Sequence, residues 1–114
     1  MGNFEQLGRR HWRWRGEVPG APEAVRSAVL DAIRTLNPAK VEQAGASTIV
    51  ARVGGVFAMS WAATEEIKVK VEGLPGSGSS LEIESRSVQL SLTDSGRNRN
   101  NIVVLLSTVG INER

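Results

Sequence analysis

Two hydrophobic periods alternate along this chain. Arg9 to Glu17 reads Arg-Arg-His-Trp-Arg-Trp-Arg-Gly-Glu. The alternation sets Trp12, Trp14 and Gly16 on one side and His11, Arg13 and Arg15 on the other, as in a half-buried strand. Pro19-Gly20-Ala21-Pro22 breaks it. From Pro22 to Leu36 the period lengthens: Val25, Ala28, Val29, Ala32, Ile33 and Leu36 share one helical face. Pro22 suits the first helical position and Glu23 the positive end of the helix dipole. Asn37-Pro38 stops the helix, because a residue before proline is pushed out of the α region.

Period two then returns. Lys40 to Ala44 and Thr48 to Val53 read as a hairpin around Gly45-Ala46-Ser47, with Ile49, Ala51 and Val53 inward. After Gly54-Gly55 comes an apolar stretch, Val56 to Ala63, in which Phe57, Met59 and Trp61 alternate; it reads as an extended arm or the start of the next strand. Thr64 to Glu72 is a strand with Ile67, Val69 and Val71 in and Glu66, Lys68, Lys70 and Glu72 out. A Gly/Pro/Ser turn at 74–79 leads to another strand, with Leu81 and Ile83 in and Glu82 and Glu84 out. The apolar phase flips at Val88, Leu90 and Leu92, so that strand ends near Ser87 or Val88. Ile102, Leu105, Leu106 and Val109 then recur at i, i+3, i+4 and i+7, predicting a helix over Arg97–Val109. Asp94, Ser95 and Asn98 are its candidate N-caps, and Gly110-Ile111 is its stop.

The predicted order is β-α-β-β-β-β-α. Short connections make the strands antiparallel, and two one-faced helices belong on one side of the sheet. The expectation is a single α+β domain over residues 9–114: a two-layer sandwich of four to six antiparallel strands with two helices on one face. A small helix-grip-like barrel is the alternative. Residues 1–8 show no period and are expected to form a loose tail.

Composition narrows the chemistry. The chain has 114 residues, enough for one core without staples. It has no cysteine, which removes disulfides and the usual zinc or iron–sulfur ligands, and a single histidine, His11. The net charge of +2 is too small to argue for nucleic acid. No apolar run reaches the ~18–20 residues that span a bilayer, and residues 1–15 lack a signal-peptide core. The expected setting is therefore cytoplasmic, or a plastid or other compartment if an upstream targeting segment has been removed. There is no phosphate-binding glycine loop, HExxH or nucleophile elbow. The pairs Glu65/Glu66 and Glu82/Glu84 read as solvated or cross-strand ion-paired carboxylates. No catalytic residue, metal or cofactor is expected.

Three stretches remain as candidate sites. Trp12 and Trp14 on the first strand, with Phe57, Met59 and Trp61 on the arm, could wall a cavity between sheet and helices. Arg86, Arg97 and Asn98 flank a loop entering a helix N-terminus and could hold an anion. The arm itself, residues 56–62, could meet a protein partner or a second copy.

From Thr48 onward the chain also resembles the bacterial and plant-plastid family called domain of unknown function 1499. The resemblance rests on the strand pair Thr48–Val53 and Ile67–Val71 bridged by an apolar segment with Phe57. It rests further on the strand ending Glu84-Ser85-Arg86-Ser87, and on Asp94-Ser95-Gly96-Arg97-Asn98-Arg99 leading to Ile102. Asn100-Asn101 departs from the basic residues that family often has there. The resemblance implies a small α+β domain with a closing helix and no assigned enzymatic activity. The leading functional expectation is a non-enzymatic binding module for an apolar or amphipathic small molecule. The alternatives are an assembly module using the arm, and an enzyme with an anion site near Arg86 and Arg97.

Overall fold

The computed structural model describes residues 2–8, 10–36, 39–53, 65–87 and 97–111, the side chains of residues 39 and 97 excepted. In chain order the elements are β1 (Asn3–Gly8), β2 (His11–Val18), α1 (Pro22–Thr35), β3 (Ala39–Ala44), β4 (Thr48–Val53), β5 (Glu65–Gly73), β6 (Ser79–Ser87) and α2 (Arg97–Ser107). The strands form one antiparallel sheet in the order β1-β2-β6-β5-β4-β3. Both helices pack on the same face of this sheet, so the protein is an α+β sandwich. The described sheet is open, with β1 and β3 at its edges, rather than curled into the helix-grip-like barrel.

Strand parity decides the layers. Trp14, Ile49, Ala51, Ile67, Val69, Leu81 and Ile83 all point at the helices and are fully buried. Helix α1 answers with Val25, Val29, Leu30, Ala32 and Ile33, and α2 with Ile102, Leu105 and Leu106. Leu30 joins this core although it lies off the predicted stripe, while Ala28 stays half-buried. Arg26 donates to the Gly45 carbonyl and so anchors α1 to the β3–β4 turn. Gly110 takes φ +83°, the left-handed conformation favoured after a helix, and the Ile111 N–H returns to the Leu106 carbonyl at 3.0 Å.

The N-terminal segment corrects the sequence reading. Residues 3–8 form edge strand β1, not a loose tail: Phe4 pairs with Trp14, Glu5 with Arg13 and Gln6 with Trp12. Only Phe4 of the six is even half-buried, which is why no period marks the strand. What holds it besides the ladder is cross-strand chemistry. The Phe4 and Trp12 rings meet edge to face at 6.1 Å, and the Arg99 guanidinium lies 4.4 Å from the centre of the Phe4 ring.

The face away from the helices carries charges of alternating sign. Across the strands run Glu5, Arg13, Glu84 and Lys68 in one row, and Arg15, Glu82 and Lys70 in the next. Close pairs are Arg13–Glu5 at 2.7 Å, Arg86–Glu66 at 2.9 Å and His11–Glu84 at 3.1 Å. Such exposed pairs set register more than they add stability. The Arg13 guanidinium, bonded to Glu5, holds the Glu5 carboxyl below the ordinary glutamate range, and Glu5 raises Arg13 in return. Because the folded value is depressed, this contribution is present above the unfolded glutamate pKa and is lost as pH falls through the folded one. In an NMR titration, the Glu5 side-chain carboxyl should titrate below the ordinary glutamate range. Arg13→Ala should return it to the ordinary range; an unchanged midpoint would show that the pair exerts no field in solution.

Candidate functional site

Parity in the strands also places polar residues inside. Glu65 continues the inward phase of Ile67, Val69 and Val71, and Ser85 and Ser87 continue that of Leu81 and Ile83. On α2 the buried stripe Ile102, Leu105 and Leu106, extended back one turn, reaches Asn98 and Asn101. These residues meet where β5 begins, β6 ends and α2 starts.

They form one directed chain of hydrogen bonds. Asn101 Nδ2 donates to Glu65 Oε1 at 3.4 Å and to Ser85 Oγ at 3.3 Å. The Ser85 hydroxyl donates to Asn98 Oδ1 at 2.7 Å. Asn98 Nδ2 then donates to Ser87 Oγ and to the Arg10 carbonyl, each at 3.1 Å. Glu65 (3% exposed), Ser85 and Asn98 are buried. The chain thus links β5, β6 and the entry to β2 through one face of α2. Its chemistry is that of a clamp: both amide hydrogens of each asparagine are committed within the protein.

This arrangement revises three sequence expectations. Glu65 is not a solvated carboxylate but an interior one, whereas Glu66, one residue on, faces out and pairs with Arg86. Asn98 does not precede α2 but lies within it, and its side chain reaches across to the strands. Two of the three expected anion ligands do not meet. Arg86 lies on the charged outer face and Asn98 on the helix-facing side, with the sheet between them. The Arg97 side chain lies outside the described residues.

The tryptophan group divides similarly. Trp12 and Trp14 share the helix-facing side of β2, as their spacing predicts. Trp12 is half-buried beside Phe4, and Arg99 stands 6.0 Å from its ring centre. Trp14 is completely buried, and its indole Nε1–H has no hydrogen-bond acceptor among the described residues. Gly2 and Gly16 cover the ring. A Cβ on Gly2 would fall 2.2 Å from Cε2, the carbon bonded to Nε1, and one on Gly16 would fall 2.6 Å from Cη2. That wall over the indole is therefore bare backbone. Phe57, Met59 and Trp61 lie outside the described residues. The ends of the segment that carries them, Val53 and Glu65, are paired to each other at the polar-clamp end of the sheet.

Clefts lined by described residues occur elsewhere. Two, of about 290 and 370 Å³, flank the β5–β6 turn where it meets Gly20, at the end of the sandwich away from the polar clamp. A third, of about 220 Å³, lies on the charged face between Lys68, Lys70, Glu82 and Glu84. No group of three or more metal-ligating side chains occurs among the described residues, and no described helix is long and apolar enough to cross a membrane. Compared with known protein families and with curated proteins, the sequence matches none.

Proposed function

We propose that this protein is a non-enzymatic binding module for an amphipathic small molecule, held on the helix-facing side of the sheet at Trp14. The observation that carries the reading is the buried indole N–H without an acceptor among the described residues. A buried donor left unmade costs about 1–3 kcal/mol, whereas the other polar side chains placed in this interior are hydrogen-bonded. A ligand carboxylate or carbonyl would satisfy the N–H, and its apolar part would lie against the aromatic side of β2 that Phe4 and Trp12 continue. The cover over the ring on that side is the backbone of Gly2 and Gly16. The committed amides of Asn98 and Asn101 favour binding over catalysis, because they leave Glu65 and Ser85 engaged with the protein.

The test separates ligand binding from packing. Trp14→Phe removes the N–H and keeps a smaller aromatic ring. Native mass spectrometry of freshly purified wild type, followed by titration with a C12 fatty acid, should show a one-to-one adduct and a change in tryptophan fluorescence. Trp14→Phe should stay folded and lose the adduct at least tenfold. Bare protein mass before and after titration, with Trp14→Phe simply more stable than wild type, would mean that the indole N–H is a tolerated packing cost.

A further inference from the structure

We propose that the side of β1 away from β2, which no described strand pairs, is a self-association edge, on which a second copy of this chain lays its own β1 antiparallel, centred on Phe4. An unpaired strand edge is a template for another strand, and proteins usually defend it with lysine, proline or a bulge. The two edges of this sheet differ in that respect. β3 carries Lys40 and Glu42 and is bulged between Val41 and Gln43. β1 has no lysine or proline, and its one irregularity lies between Gln6 and Gly8, next to the turn. Gly2 to Gln6 is left as a regular edge, with no described chain beside it.

The choice of a second copy comes from the side chains. A two-fold axis normal to the sheet sets β1 antiparallel to its copy and keeps both helix layers on one face. Centred on Glu5, it would oppose two carboxylates, which is unfavourable. Centred on Gln6, it would run Phe4 into Gly8 at the bulge. Centred on Phe4, it places Phe4 against Phe4, Asn3 against Glu5 and Gly2 against Gln6. The outer row then continues through the contact with no like charges adjacent: Lys68, Glu84, Arg13 and Glu5 of one copy, then Asn3, Arg15, Glu82 and Lys70 of the other. On the other face, the edge-to-face Phe4–Trp12 pair is extended by its copy. The Arg99 side chains approach across the axis, an opposing effect that physiological salt screens in part. Five paired residues make a small interface, below the ~1,000 Å² expected of a permanent one, so the dimer is reversible and concentration-dependent.

The chain contains no cysteine, which makes the register directly readable. Residues directly opposed across a strand pair have Cβ atoms about 4.5–5.5 Å apart, close to disulfide reach. Under mild oxidation, Phe4→Cys should give at least fivefold more disulfide-linked dimer than Gln6→Cys or than Gln43→Cys on the opposite edge. Because Phe4→Cys removes a ring that the contact uses, wild type is also sedimented over a concentration series. Its mass should rise from the 12.3 kDa monomer toward twice that value. Wild type that stays monomeric at every concentration, or cross-linking at Gln6 or Gln43 that equals Phe4, overturns the proposal.

Discussion

Trp14→Ala is expected to lower the unfolding free energy by about 3–5 kcal/mol, the range for emptying a large aromatic site in a packed core. The ring has no exposed surface and lies between β1, β6 and the helix layer. Its loss is hard to repair by collapse. The backbone of β2 is fixed on both sides, by Phe4 of β1 and Ile83 of β6, and the cover over the ring is two glycines with no side chain to move in. Domains of this size have about 5–15 kcal/mol of stability in all, so much of it depends on this residue. Urea denaturation should show a midpoint lowered accordingly at similar slope. Trp14→Phe is the counterpart: it loses volume but also the unsatisfied N–H, so its cost should be under about 2 kcal/mol. Equal losses for the two variants would mean that the indole N–H is bonded in solution.

The layers of this fold follow from alternation and spacing because burial is a matter of parity. Every inward strand residue expected on β4, β5 and β6, from Ile49 to Ile83, is buried, and the ends of β6 and both helices fall within about two residues of their predicted positions. The edge strand β1 was not legible. Its stability comes from pairing with β2, and an edge strand with one half-buried side chain leaves no hydrophobic period to read.

The polar clamp was legible in principle. Glu65, Ser85, Ser87, Asn98 and Asn101 all stand on the inward phase of their elements. Glu65 reads instead as a solvated carboxylate and Asn98 as a helix cap or anion ligand, because charge and amide groups argue for solvent on average. The extended phase outweighed that average because each group found a partner: burial of a polar group is tolerated once it is hydrogen-bonded. Arg86 and Asn98, two of the three expected anion ligands, stand apart for the complementary reason. Arg86 and Ser87 are neighbours in sequence but on opposite faces of the sheet, so proximity along the chain does not become proximity in space.

Asn98→Leu is the second large effect, with an expected loss of about 2–3 kcal/mol. Leucine matches the volume approximately but leaves the Ser85 hydroxyl, the Ser87 hydroxyl and the Arg10 carbonyl without this partner, at about 1–3 kcal/mol for each group that cannot find another. The serine hydroxyls can rotate, and the Arg10 carbonyl still accepts the Ser87 N–H at 3.0 Å, so the sum is reduced at all three groups. Asn98→Asp sharpens the argument. An aspartate there keeps the acceptor for Ser85 but faces the Arg10 carbonyl with a carboxylate in place of an amide N–H. Burial and that contact raise its folded pKa above the ordinary ~3.9. The variant is then least destabilised below that value, where a protonated carboxyl can still donate, and its deficit against wild type grows as pH rises toward the folded pKa. Paired denaturation curves of wild type and Asn98→Asp at pH 4 and pH 7 read this directly. A deficit that is the same at both pH values would mean that the side chain at position 98 is solvated, and that α2 is held to the sheet by its apolar stripe alone.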